Sequence, residues 1–144
     1  MSADQEPIGQ NVWEATGTEP ELASKDAYWI KGMVASQQGR LTLTADRLLF
    51  TAEAARVSQG GAIAQAIVDR IAEGRDVLMP LHEITAARRT WHGFVRNTID
   101  IELGDRTYRF TPGWKQWATP LRQAVEATGA TIVDDPDGSG WSVA

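Results

Sequence analysis

His82-Glu83 is the pair from which a zinc-protease helix would start. Such a helix needs a second His four places after the first, with the Glu as base. Ala86 occupies that place, so the ligand set fails. The chain has two His and no Cys, and His92 falls on a different strand or turn from His82. Without Cys, disulfides and thiolate metal sites are excluded. Gly60-Gly61 lacks the Lys-Ser or Lys-Thr of a phosphate-cradling loop. No Gly-x-Ser-x-Gly nucleophile elbow is present. No acid, base and nucleophile converge, so a non-enzymatic protein is expected, with no cofactor and no metal.

Recognition chemistry is better represented. The run Arg88-Arg-Thr-Trp-His-Gly-Phe-Val-Arg96 reads as a hairpin tip carrying three Arg, one Trp and one Phe. Aromatic rings bury apolar area, while guanidinium groups pair with carboxylate or phosphate. Arg88, Arg89, Trp91, Phe94 and Arg96 are therefore the candidate ligand or partner contacts. By simple alternation Phe94 shares the solvent parity of Arg96, Asp100 and Glu102. The alternative is a bulge that turns Phe94 inward and folds Trp91 onto the domain.

Charge narrows the partner. The 144 residues carry 14 basic and 19 acidic side chains, a net charge of −5. Nucleic-acid binders usually show a basic footprint, so nucleic acid is not expected. The distribution is uneven: residues 1–27 hold six acids and one Lys, whereas residues 77–125 hold seven bases and four acids. A local basic surface is compatible with the acidic total. The start, Met-Ser-Ala-Asp-Gln-Glu-Pro, has no basic segment followed by an apolar core, and no signal peptide is expected. No apolar run approaches the roughly 20 residues of a membrane-spanning helix. A cytoplasmic protein is expected, with peripheral membrane association as the alternative.

The elements that must position these residues are mostly strands. Period-two alternation predicts strands near 29–36, 40–44 and 47–52, the first two separated by a Gly-Arg turn. Strands resume at Val77, where Pro80 demands an edge or a bulge. Alternation then runs through 84–91, 97–103 and 106–110, with Gly104-Asp105 as a hairpin turn. Between the third and fourth strands, Ile63, Ile67, Val68 and Ile71 recur at helical spacing over about 60–73. This inserted helix covers a sheet face or edge, or contacts a partner through Ile63, Ile67 and Ile71; self-association would use the same residues. A last helix carries Trp117, Leu121, Ala124 and Val125 on one face. Pro120 clashes in a helix interior, so this helix is expected to begin near Trp117, with Pro120 in its first turn or at its first position after a Thr119 cap. Residues 1–27 read as an irregular arm, and 129–144 as a turn-rich tail with no forced fold.

Gly39-Arg-Leu-Thr-Leu-Thr-Ala-Asp-Arg-Leu-Leu-Phe50, Met79-Pro-Leu-His-Glu-Ile84, Arg106-Thr-Tyr-Arg-Phe110 and the helix Trp117 to Ala124 occur in an order that resembles the GRAM branch of the pleckstrin-homology-like superfamily, particularly its small bacterial members. The resemblance covers about residues 28–128. It implies a mainly β α+β fold: a seven-stranded antiparallel barrel or sandwich, a C-terminal capping helix, and here one helix inserted between strands three and four. It implies a binding module for lipids, peptides or protein surfaces, and carries no catalytic residues. The lipid motif of pleckstrin-homology domains would place Lys31 and Arg40 in its first two basic positions, but Thr42 stands in the third. Two readings follow. In one, the chain binds a protein or peptide partner, including a second copy of itself. In the other, an anionic lipid surface docks on the hairpin at 88–96.

Overall fold

The computed structural model describes residues 20–32, 35–53, 76–93 and 95–144. The helix expected at 60–73, with Ile63, Ile67 and Ile71, lies outside these residues, as do Phe94 and most of the N-terminal arm.

Among the described residues nine strands form one open antiparallel sheet. They are β1 (Ala23–Ile30), β2 (Ser36–Leu43), β3 (Arg47–Ala52), β4 (Val77–Pro80), β5 (Ala86–His92), β6 (Val95–Leu103), β7 (Arg106–Thr111), β8 (Ile132–Asp134) and β9 (Gly140–Val143). Their order across the sheet is β4-β3-β2-β1-β7-β6-β5-β9-β8. One helix, α1 (Trp114–Ala127), follows β7. β4 is an end strand, which suits Pro80 at its terminus.

The sheet curls over its own core. Phe50 on β3 and Phe110 on β7 have ring centroids 5.5 Å apart. Three strand spacings separate β3 from β7 in the sheet order, about 14 Å if the sheet were flat. Curling closes that gap, and Trp29 adds edge-on contacts to Phe50 and Tyr108, both at 5.9 Å. Leu41, Leu43, Met79, Ile99 and Ile101 complete the apolar face. α1 covers it with Trp117, Leu121, Ala124 and Val125, the helical face that periodicity predicts.

Four expectations are corrected. β1 lies at Ala23–Ile30 rather than 29–36, in an eight-residue ladder with β2. Its own alternation is weak, and its outer face is polar: Arg40 bonds Ser24 Oγ at 2.7 Å and Asp26 at 2.8 Å. Gly39 is no turn residue but the interior of β2. A Cβ there would sit 2.3 Å from the Thr51 carbonyl oxygen and 2.6 Å from the Phe50 ring. α1 begins at Trp114, three residues early, and holds Pro120 in its interior. The tail at 129–144 adds the β8–β9 hairpin to the sheet, giving nine strands where seven were expected. β9 pairs with β5, matching Ala87 with Trp141. Trp141, 2% exposed, joins the core. Gly140 permits the approach, since a Cβ would lie 2.3 Å from the Ala87 carbonyl oxygen.

Candidate functional site

The β5–β6 hairpin has two faces, and they divide the Arg-rich run. Arg89 is directly opposite Ile99, whose side chain faces the core, so Arg89 lies on the α1 side of the sheet. Arg88 is opposite Asp100 and lies on the outer side. The register shifts between Thr90 and His92, so the tip carries the bulge that alternation alone would miss.

Arg88 is consumed by structure. Its Nε donates to Glu102 at 2.9 Å and its Nη1 to Asp135 at 2.6 Å. It thereby ties β5 to β6 and to the C-terminal hairpin. The hydrogen bond to Glu102, aided by both carboxylates, raises the Arg88 pKa further above its usual value. Arg88 is accordingly set apart from the other hairpin arginine positions.

Arg89, Trp91 and Arg96 do converge. Together with Asn97, Trp114 and Lys115 they line an open groove of about 350 Å³ between the hairpin and the start of α1. Trp91 is 62% exposed. The Arg96 guanidinium carbon lies 4.8 Å from the centre of its ring, a cation–π contact. Among the described residues Arg89, Arg96 and Lys115 form no ion pair and no acid lines the groove.

Asn97 on β6 builds the groove's floor. Its Oδ1 accepts the Lys115 backbone N–H at 2.9 Å, and its Nδ2 donates to Gln116 at 2.7 Å. Its carbonyl accepts the Gly113 N–H at 2.9 Å and the Thr111 hydroxyl at 3.0 Å. The Gly113 N-cap has no side chain to offer, so the neighbouring strand caps α1 in its place. That cap fixes Trp114 and Lys115 against the hairpin. The positive end of the helix dipole adds to the field of the three cations.

Lys31 and Arg40 do not meet. Arg40 is opposite Asp26, and Lys31 lies five residues further along, about 16 Å at strand spacing. Arg40 is paired with Asp26, and the Lys31 ammonium rests 4.6 Å from the Trp29 ring centre. Trp114, Lys115 and Asn97 escaped the sequence reading as site residues. The one signal for Trp114 was its place a turn ahead of the expected helix.

A second recess opens on the outer side, where β1, β5, β6 and β7 meet, with a volume of about 330 Å³. His82 stands apart from both, exposed beside Glu83 at 3.7 Å. Among the described residues no group of three or more His, Asp or Glu is placed to hold a metal ion. No helix among them is long and apolar enough to cross a membrane.

No protein-family model matches the chain, and no curated protein matches it. Solved structures do. The C-terminal domain of an unknown protein from Leishmania infantum superposes with a TM-score of 0.50 at 17% identity, over 83% of this chain and 89% of that one. The DH/PH domain of human ARHGEF11, in a ternary complex with human RhoA and its inhibitor, gives a TM-score of 0.52 at 13% identity. That match covers 76% of this chain and 30% of the other, so the chain spans less than a third of that relative. At such identities the likeness speaks to fold alone: a mainly β architecture built on an antiparallel sheet.

Proposed function

We propose that the chain is a non-enzymatic binding module of the pleckstrin-homology-like kind, GRAM type, whose groove between β5–β6 and α1 takes an acidic segment of a protein or peptide partner. The observation that carries this reading is the groove itself. Three cations, two Trp rings and a capped helix start surround it, and among the described residues no ion pair or carboxylate opposes those cations. Arg favours carboxylate through planar, paired hydrogen bonds, and Trp supplies the apolar anchor typical of energetic interface centres. The concave shape suits a peptide. The −5 net charge works against approach to an extended anionic surface.

Trp91 favours a second reading. An exposed indole beside Arg96 at a hairpin tip is suited to a lipid interface as well as to a protein. One experiment separates the two. Fluorescence anisotropy of a labelled Glu-rich peptide, and flotation with phosphatidylserine vesicles, are measured for the wild type and for Arg89→Glu/Arg96→Glu. Peptide binding that the double variant abolishes supports the peptide reading. Vesicle binding without peptide binding, lost in the same variant, replaces it with the lipid reading. Absence of both discards the groove as an anionic-ligand site.

A further inference from the structure

The start of β1 and the groove lie at the same end of the sheet. β1 runs antiparallel to β7, and β7 antiparallel to β6, so β1 and β6 begin at one end, where β7 finishes and α1 starts. Tyr28 is opposite Thr111, whose hydroxyl donates to the Asn97 carbonyl at the groove's floor. Two strand spacings, about 10 Å, therefore separate Tyr28 from Asn97. The described chain begins at residue 20, which lies at most about 29 Å from Tyr28 even if the chain between them is fully extended. Residue 20 is thus within about 40 Å of Asn97. From residue 20 back to Glu6 the chain can span about 46 Å, so the segment ahead of β1 reaches the groove without moving a strand.

The charge of that segment is one-sided. Residues 1–24 carry Asp4, Glu6, Glu14, Glu19 and Glu21 and no Lys or Arg. Ile8, Val12 and Trp13 lie among these acids. The groove presents the complement, with Arg89, Arg96 and Lys115 beside Trp91 and Trp114. Other cations of the sheet are less suited. Arg40, Arg88, Arg109 and Arg122 are held by acids. Lys31 and Arg106 stand at the far end, just after β1 and at the opening of β7. A tethered ligand also needs little intrinsic affinity. Its linker replaces free concentration by an effective one of roughly millimolar order, so weak contacts suffice to hold it.

Resting on the acidic-peptide reading of the groove, we infer that its resident ligand is the chain's own N-terminal arm. Residues 4–14 occupy the groove in cis, with Asp4, Glu6 and Glu14 meeting its Arg and Lys side chains. The apolar residues among them cover Trp91, which is 62% exposed to solvent among the described residues. An outside acidic partner then competes with the arm for the same cations.

The test uses the full chain, as wild type and as Asp4→Asn/Glu6→Gln/Glu14→Gln, whose substitutions all precede the sheet. Amide and indole chemical shifts are compared first. Differences at Arg89, Trp91, Asn97 and Lys115 that persist on dilution are expected, and they should vanish when both forms also carry Arg89→Glu/Arg96→Glu. A labelled Glu-rich peptide is then titrated at fixed ionic strength. Neutralising the arm should tighten its binding roughly tenfold, the ratio of a millimolar effective concentration to a peptide Kd of about 0.1 mM. Asp105→Asn/Glu126→Gln controls for net charge and should not reproduce that gain. Equal peptide affinities with unchanged groove shifts overturn the inference and leave the groove as an acidic-peptide site. A similar gain in the control, with unchanged groove shifts, overturns it in favour of a general charge effect. Shift differences that fade on dilution overturn it too, because the arm then docks on a second copy. Peptide binding in neither form, with unchanged groove shifts, overturns the inference and the acidic-peptide reading together.

Discussion

Arg88 and Arg89 are adjacent, of one type, and physically unlike. Arg88→Ala removes the link among β5, β6 and the C-terminal hairpin and leaves Glu102 and Asp135 without their shared cation. The side chain is 40% exposed, so water screens both pairs, and a loss of about 1 kcal/mol is expected in denaturant unfolding. Arg89→Ala should leave stability within about 0.5 kcal/mol, as for other surface sites free of such features, and weaken ligand binding in the groove. A result in the opposite order would remove Arg89 from the site. The run at 88–96 was legible in composition as a recognition element. Its division was not, because which Arg finds a carboxylate depends on Asp135, 47 residues away. Core residues behave differently again. Trp141 and Trp117 are buried with indole N–H groups that have no hydrogen-bond partner among the described residues. Trp141→Phe loses ring volume but also an unsatisfied donor, so it should cost under about 2 kcal/mol. Trp141→Ala should cost about 3–5 kcal/mol. Equal losses in chemical denaturation would mean that the indole nitrogen matters and that its surroundings are misjudged.

At the scale of elements, patterns confined to one segment were legible and those supplied by a neighbour were not. The alternation in β3, β6 and β7 and the apolar face of α1 follow from local periodicity, because each buries one face against one core. The start of α1 does not, since its cap is Asn97, on a strand that precedes it by 17 residues. With that cap in place the helix begins at Trp114 and Pro120 falls inside it. Proline there gives Gln116 no N–H to accept from, at a cost of up to about 3 kcal/mol in a regular helix. Pro120→Ala should therefore raise the unfolding midpoint; an unchanged or lower midpoint would show that the bend it imposes is used in packing α1 on the sheet. The β8–β9 hairpin was likewise invisible, because its partner β5 lies about 50 residues back in sequence and nothing in the tail alone encodes the pairing. Its turn has its own lock. The Ser139 hydroxyl donates to Asp137 at 2.7 Å and the Ser139 N–H at 3.0 Å, which holds the Asp137 carboxyl below the usual carboxylate range. A depressed folded pKa stabilises the turn above the unfolded carboxylate pKa, and that contribution is lost as pH falls through the folded value. Amide exchange of Gly138 and Ser139 should quicken in that acid window and in Asp137→Asn at neutral pH.

At the scale of the whole molecule, the chain is acidic while the groove beside α1 is lined by three cations. The sheet explains how both can hold. Curling turns one face of β5 and β6 toward α1 and the other outward, so alternate residues of a single hairpin line separate recesses. Net charge and local charge then act over different distances. The −5 total works against an anionic partner out to about a Debye length, whereas on the proposed reading the groove attracts it at contact. Association of an acidic peptide should therefore depend on salt in two regimes. Lowering ionic strength from about 150 to 10 mM lengthens the Debye length from about 8 to about 30 Å, so long-range repulsion grows alongside the contact attraction and the association rate should rise only modestly. Neutralising surface acids distant from the groove, as in Asp105→Asn/Glu126→Gln, should steepen that rise while leaving the contact geometry intact. Stopped-flow association rates across that salt range decide the matter. A steep rise in the unmodified chain would mean that the groove's field already dominates at long range, and an unchanged slope in the variant would mean that the acidic surface plays no part in steering.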